Sequence, residues 1–155
     1  MNSYYYDKNW VPNFNLHPKT VIPDSHSVKG YAAIAGVLKD RIAKENKEKL
    51  VVVFDYYYGV NQKKLFDEVV NQLGADLLID VESAHFPEDI IQEKFGKYIT
   101  EDRIMGVYIP DPIDAFFDAK KLEELKKTIE SAKGLVVVYG VAAAVLTQGD
   151  ILVYA

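Results

Sequence analysis

Two apolar runs without polar alternation frame this chain, Leu50–Phe54 (LVVVF) and Leu135–Tyr139 (LVVVY). A strand that is apolar at every position is covered on both faces, as in a parallel sheet. Between and around these runs the period changes. Tyr31, Ile34, Ala35, Leu38 and Ile42 recur at i, i+3, i+4, i+7 and i+11. This spacing predicts a helix over Lys29–Lys44, N-capped by Ser27 and followed by the charged linker Glu45–Lys49. Asp55–Gln62 reads as a loop. Leu65, Phe66, Val69, Val70 and Leu73 predict a helix over Lys63–Leu73, ended by Gly74. Asp76–Val81 (DLLIDV) predicts a second strand. Pro87 then opens a third helix at its first position, with Glu88 and Asp89 in the first turn, where they favour the dipole. Ile90, Ile91 and Phe95 face inward and Gly96 ends it.

Ile104–Ile109 (IMGVYI) predicts a further strand or an extended segment, with Gly106 as its weak point. Pro110 and Pro112 make a tight turn, and Ile113, Phe116 and Phe117 are expected in the core. Asp118 caps a helix over Ala119–Lys133 whose buried stripe is Leu122, Leu125, Ile129 and Ala132, and Gly134 closes it. Gly140 ends the LVVVY strand, Val141–Leu146 forms a small apolar turn or helix, and Ile151–Ala155 (ILVYA) is the last strand. Strands that alternate with helices and are apolar on both faces predict an α/β fold: a three-layer, mostly parallel sheet. Residues 29–155 form one domain. Residues 1–28, with Tyr4–Tyr6, Trp10 and prolines at 12, 18 and 23, read as an extended arm on its surface. The sequence stops in an apolar strand without a covering helix. The expectation is a fragment of a longer chain, or an edge strand left for a partner.

Composition changes this picture only by exclusion. With 155 residues the chain is one domain's worth. A net charge of −5 gives no basic field for nucleic acid or an anionic membrane. The absence of cysteine removes disulfides, thiolate zinc sites and thiol nucleophiles. No signal-peptide pattern opens the chain, and its longest apolar run, Val141–Leu146, is far short of the ~18 residues of a membrane span. A cytoplasmic protein is expected.

The candidate chemistry sits at the ends of the strands, where open α/β sheets bind ligands. A phosphate loop needs G-x-x-x-x-G-K-[S/T]: glycines to wrap the phosphates, Lys for charge, a hydroxyl for Mg²⁺. With Gly59 as the second glycine, the first falls on Phe54, the Lys on Val60 and the hydroxyl on Asn61. The loop is degenerate and predicts no ATPase site. What remains is a weak anion site on the helix N-terminus, built by Gly59, Asn61, Gln62 and Lys63, or simply an Asn61 cap. Asp80, Glu82, Asp111 and Asp114 form an acidic cluster that either binds Mg²⁺ or is solvated loop carboxylate. Tyr56, Tyr57 and Tyr58 cannot all point inward, and they are candidates for a ligand, interdomain or dimer contact. His17, His26 and His85 lack metal spacing, so no metal site and no catalytic residue is assigned.

The segments VVVFDYYYGVN, TEDRIMGVYIPDPIDAFFDAKKLEELKKTIE and GLVVVYGVAAAVLTQGDILVYA resemble the N-terminal α/β domain of the long bacterial class I mannose-6-phosphate isomerases. The resemblance covers Val28–Ala155 and is most specific in the last third. It implies a non-catalytic domain followed by a zinc-dependent cupin domain that interconverts aldose and ketose phosphates. Zinc is then expected in that absent domain and no cofactor here. The expected partners are the missing isomerase domain and a second copy of the chain. The layout also looks like the uridine-kinase-like P-loop fold, with Asp55–Gln62, Asp80 with Glu82, Asp111–Pro112 with Phe117–Asp118, and Tyr139–Gly140 in order. That implies a P-loop-kinase-like, Rossmann-like topology with a degenerate phosphate loop. Two other functions stay open: a nucleotide- or sugar-phosphate-binding kinase-like domain, and a structural module that dimerises through Tyr56–Tyr58 or the Ile151–Ala155 edge.

Overall fold

The computed structural model describes Pro18, residues 27–102 and residues 104–155. The arm aromatics Tyr4–Tyr6 and Trp10, with His17 and His26, lie outside the described residues. The four strands are β1 (Lys49–Tyr56), β2 (Leu77–Asp80), β3 (Gly134–Val141) and β4 (Ile151–Tyr154). They form one sheet in the order β2-β3-β1-β4, and every pairing is parallel. The two LVVV runs are neighbours, with Val51 opposite Val136 and Val53 opposite Val138.

Helices cover both faces. Val52, Phe54, Tyr56 and Val137 pack against α1 (Tyr31–Glu45), α2 (Gln62–Glu68) and the 3-10 turn Val70–Leu73. Val51, Val53, Val136 and Val138 pack on the other face against Leu122 and Ile129 of α4 (Ala119–Ser131) and against Leu146. Successive side chains of a strand point to opposite faces, so a run of Val, Val and Phe feeds two cores at once. Val52, Val53 and Phe54 are fully buried. Each contributes roughly 1.5–3 kcal/mol relative to exposure.

Both edge strands are pinned in register by an aspartate just before their first residue. The Asp76 N–H donates to the Leu135 carbonyl at 2.8 Å, while Asp76 Oδ2 accepts from the Leu135 N–H at 2.7 Å. On the other edge, the Asp150 N–H donates to the Val51 carbonyl at 2.7 Å, and Asp150 Oδ2 accepts from the Val51 N–H at 2.8 Å. Gly149 makes the second clamp feasible. Its φ is +62°, and a Cβ there would stand 2.7 Å from the Val51 carbonyl oxygen.

Several expectations change. The Lys63–Leu73 helix is broken at Val69 (φ −125°, ψ −64°), so α2 ends at Glu68 and a 3-10 turn continues to Leu73 and the left-handed Gly74. Gly30, not Ser27, is the N-cap of α1, and its carbonyl accepts from the Ile34 N–H at 3.1 Å. Pro87 is the N-cap of α3 (Glu88–Phe95), one position earlier than expected. Ile104–Ile109 forms no strand, because no strand runs beside it. Ile104, Met105 and Tyr108 are exposed instead, and Ile113 is exposed rather than in the core. Asp55 and Tyr56 belong to β1, and Gly140 lies within β3. The cause is mutual pairing: Asp55 stands opposite Gly140 on one side and Tyr154 on the other.

Candidate functional site

The crossovers at the C-terminal ends of β1 and β3 leave in opposite directions. β1 leads into α2 on one face, and β3 leads into the turn Ala142–Leu146 on the other. Where such departures diverge, a crevice opens beyond the strand ends. Here the β3–β4 connection holds only a 3-10 turn, Ala143–Val145, where a longer crossover would lay a helix over the sheet. Ile151 and Val153 pack against the α1/α2 face, while Leu152 and Tyr154 on the opposite face stay exposed.

A cleft of about 420 Å³ fills this gap, within the usual range of ligand pockets. Asp55 enters it from β1, Val141 and Val145 from the end of β3 and its turn, Ile113 from the loop before α4, and Tyr154 from β4. Tyr57 and Tyr58 stand at its mouth, 71% and 66% exposed. The Tyr57 N–H donates to the Ala155 carbonyl at 2.7 Å, and the Ala155 N–H donates to the Asp55 carbonyl at 3.0 Å. These bonds tie the end of β4 to the end of β1. Ala142, in the wall, has φ 60° and ψ 31°. A left-handed alanine costs roughly 1–2 kcal/mol, so the turn is held by its surroundings rather than by local preference.

Asp55 is the buried charged side chain among the described residues, 8% exposed. Its Oδ1 has no hydrogen-bond partner among them. Buried polar atoms are almost always paired, by protein groups or by water, and Asp55 belongs to the lining of the cleft. On the other face the Tyr56 hydroxyl is likewise buried without a partner. It borders a smaller cavity of about 170 Å³ with Gln62, Lys63, Phe66, Asp80 and Tyr139. Burial pushes the Tyr56 phenol far above its ordinary range, aided by Tyr139, Asp80 and Glu82. Burial also raises Tyr139, aided by the same carboxylates. It raises Asp80 against the opposing bond from the Glu82 N–H.

The residues singled out from sequence are divided among several places. Gly59 makes the turn after Tyr58 with φ +101°. Asn61 caps α2, its Oδ1 accepting from the Lys64 N–H at 3.0 Å. Lys63 pairs with Asp67 at 2.6 Å, and Gln62 joins the small cavity beside Tyr56. Asp80 and Glu82 are neighbours at the end of β2, and Glu82 Oε1 accepts from the Val141 N–H at 3.3 Å. Asp111 and Asp114 are exposed in the loop before α4. The four acidic residues do not come together: among the described residues no group of three or more His, Cys, Asp or Glu is placed to hold a metal ion. Two of the three tyrosines are exposed, as expected, and Tyr56 is buried in the sheet. His85 lies edge-on to Phe117, ring centroids 4.2 Å apart, and burial lowers its basicity against the pull of Glu82 and Asp80.

Asp55 and Tyr154 are not individually marked by the sequence, which places them only within the Asp55–Gln62 loop and the Ile151–Ala155 edge. The signal for Asp55 is a charged residue directly after the LVVVF run, a pattern that equally fits the first position of a loop. No helix among the described residues is long and apolar enough to cross a membrane. A family model described as a domain of unknown function, DUF8485, matches residues 30–155. No curated protein and no solved structure matches the chain.

Proposed function

The chain belongs to the DUF8485 family, a domain of unknown function, and from its own site we propose that it is a small-molecule-binding domain, not a phosphotransferase. The observation that carries this reading is Asp55, which lies in the lining of the cleft beyond β1 and β3 and has a buried carboxylate oxygen, Oδ1, with no partner among the described residues. The strand order β2-β3-β1-β4, with the first crossover on one face and the later ones on the other, supports a P-loop-kinase-like topology. The loop after β1 has lost the parts that would hold nucleotide. Val60 stands in the lysine position, and Asn61 turns its side chain onto its own helix. The ligand therefore meets the strand ends and the tyrosines rather than a phosphate cradle.

The resemblance to the N-terminal domains of long mannose-6-phosphate isomerases extends this reading to the whole protein: a binding or regulatory module beside a zinc-dependent isomerase domain. Calorimetric titration with ATP·Mg²⁺, ADP and mannose 6-phosphate, alongside an amide NMR screen of small organic compounds, tests the proposal. The expected outcome is no saturable nucleotide binding and hits that shift the amides of Tyr57 and Val141–Val145. ATP binding tighter than roughly 100 μM that is lost on changing Asn61 and Gln62 to Pro would replace it with the kinase-like reading.

A further inference from the structure

Resting on the small-molecule reading above, we infer that the cleft selects an organic cation, an ammonium group on a hydrocarbon body, with Asp55 as its counter-ion. The charge balance of the cleft is one-sided. Among the described residues Asp55 is the charged residue in its lining, Ile113, Val141, Ala142, Ala144 and Val145 are apolar, and no lysine or arginine lines it. A phosphate or carboxylate would enter without a compensating cation and against a carboxylate. A sugar would bring several hydroxyls to walls that offer them few partners. A cationic head meets the opposite situation. It supplies the donor or positive charge that Asp55 Oδ1 lacks, and its hydrocarbon body matches the apolar wall.

The tyrosines complete the match. Tyr57, Tyr58 and Tyr154 come from two different segments and line the same opening. Aromatic faces attract cations through their quadrupole, and aromatic side chains are the usual recognition element for quaternary ammonium groups. The net charge of −5 favours approach of a cation over an anion.

The test uses the whole chain with choline and n-butylammonium as probes. The controls are n-butanol and the neutral isostere of choline in which carbon replaces the quaternary nitrogen. Glucose and mannose 6-phosphate are titrated in parallel, and amide NMR locates each ligand. The inference expects saturable binding of at least one cation at the Tyr57 and Val141–Val145 amides. Its neutral isostere should bind at least about tenfold more weakly, and Asp55→Asn should lose a similar factor. Tyr154→Ala, which leaves the carboxylate in place, should weaken the cation by several-fold. Equal binding of cation and isostere, or a sugar as the ligand that Asp55→Asn loses, overturns the cation inference and leaves the small-molecule reading standing. Failure of every probe and of the wider screen to reach the cleft overturns both.

Discussion

If Asp55 awaits a ligand, the free domain should become more stable when its charge is removed. The side chain is 8% exposed and Oδ1 has no partner among the described residues. Leaving a buried acceptor unpartnered costs roughly 1–3 kcal/mol, and more for a charged group. Asp55→Asn keeps the shape but retains an amide that also needs partners, so its expected gain is about 1 kcal/mol. Asp55→Leu replaces the two carboxylate oxygens with methyl groups, with the cleft to accommodate their larger size, and its expected gain is about 1–3 kcal/mol. Urea denaturation without added ligand reads both variants. The midpoint should rise with an unchanged slope, and the melting temperature should rise by roughly 2–4 °C per kcal/mol for a chain of this size. A fall in the midpoint for both variants would refute the reasoning. It would mean that the carboxylate contributes to the native state through a partner of its own and is not held for a ligand. The variants that gain stability should be those that lose the ligand, the usual exchange at a binding site.

Tyr56→Phe removes a buried hydroxyl without a partner, so stability should be unchanged or higher by up to about 1 kcal/mol in the same urea assay. In an ultraviolet titration of wild type, Tyr56 should ionise after the exposed tyrosines, because burial raises its pKa, and Tyr56→Phe should delete that late step. Asn61→Ala should lower stability by about 1 kcal/mol through loss of the cap on α2; an unchanged midpoint would refute the cap. Asp150→Ala should cost about 1 kcal/mol, discounted for the solvent exposure of its bond to Lys47. The bonds from Lys47 and the Val51 N–H hold the Asp150 pKa below the ordinary aspartate value of about 3.9. Its contribution is therefore fully present above that value and fades as pH falls through the lowered native one. The gap between wild type and Asp150→Ala should be constant near neutrality and close only in strong acid, and a gap that closes near neutral pH would refute this assignment.

Most of the layering could be read from local pattern, since LVVVF and LVVVY announce strands buried on both faces and the stripe of α4 announces one apolar side. The same logic misled at Ile104–Ile109, where an apolar hexapeptide has no strand beside it and remains exposed. It also misled at Val69, where a continuous helical period conceals a change from α to 3-10 geometry. The candidate site was legible as a region, the C-terminal strand ends, but not as residues. Asp76 and Asp150 each read as the polar start of a strand. Their role as register clamps depends on Leu135 and Val51, 59 and 99 residues away in the chain.

By itself the sequence determined that this is a parallel α/β domain, and that the loop after its central strand lacks the lysine and hydroxyl of a phosphate clamp. Both are properties of neighbouring residues: a period and a motif need only a few positions to be visible. Tertiary structure alone decided that Asp55 lies inside. The register of β3 and β4 places Gly140 and Tyr154 on either side of it, and a short turn stands where a helix could have covered it. A charged residue after an apolar run looks solvated from the chain itself, and only strands brought from the far end of the sequence can bury it.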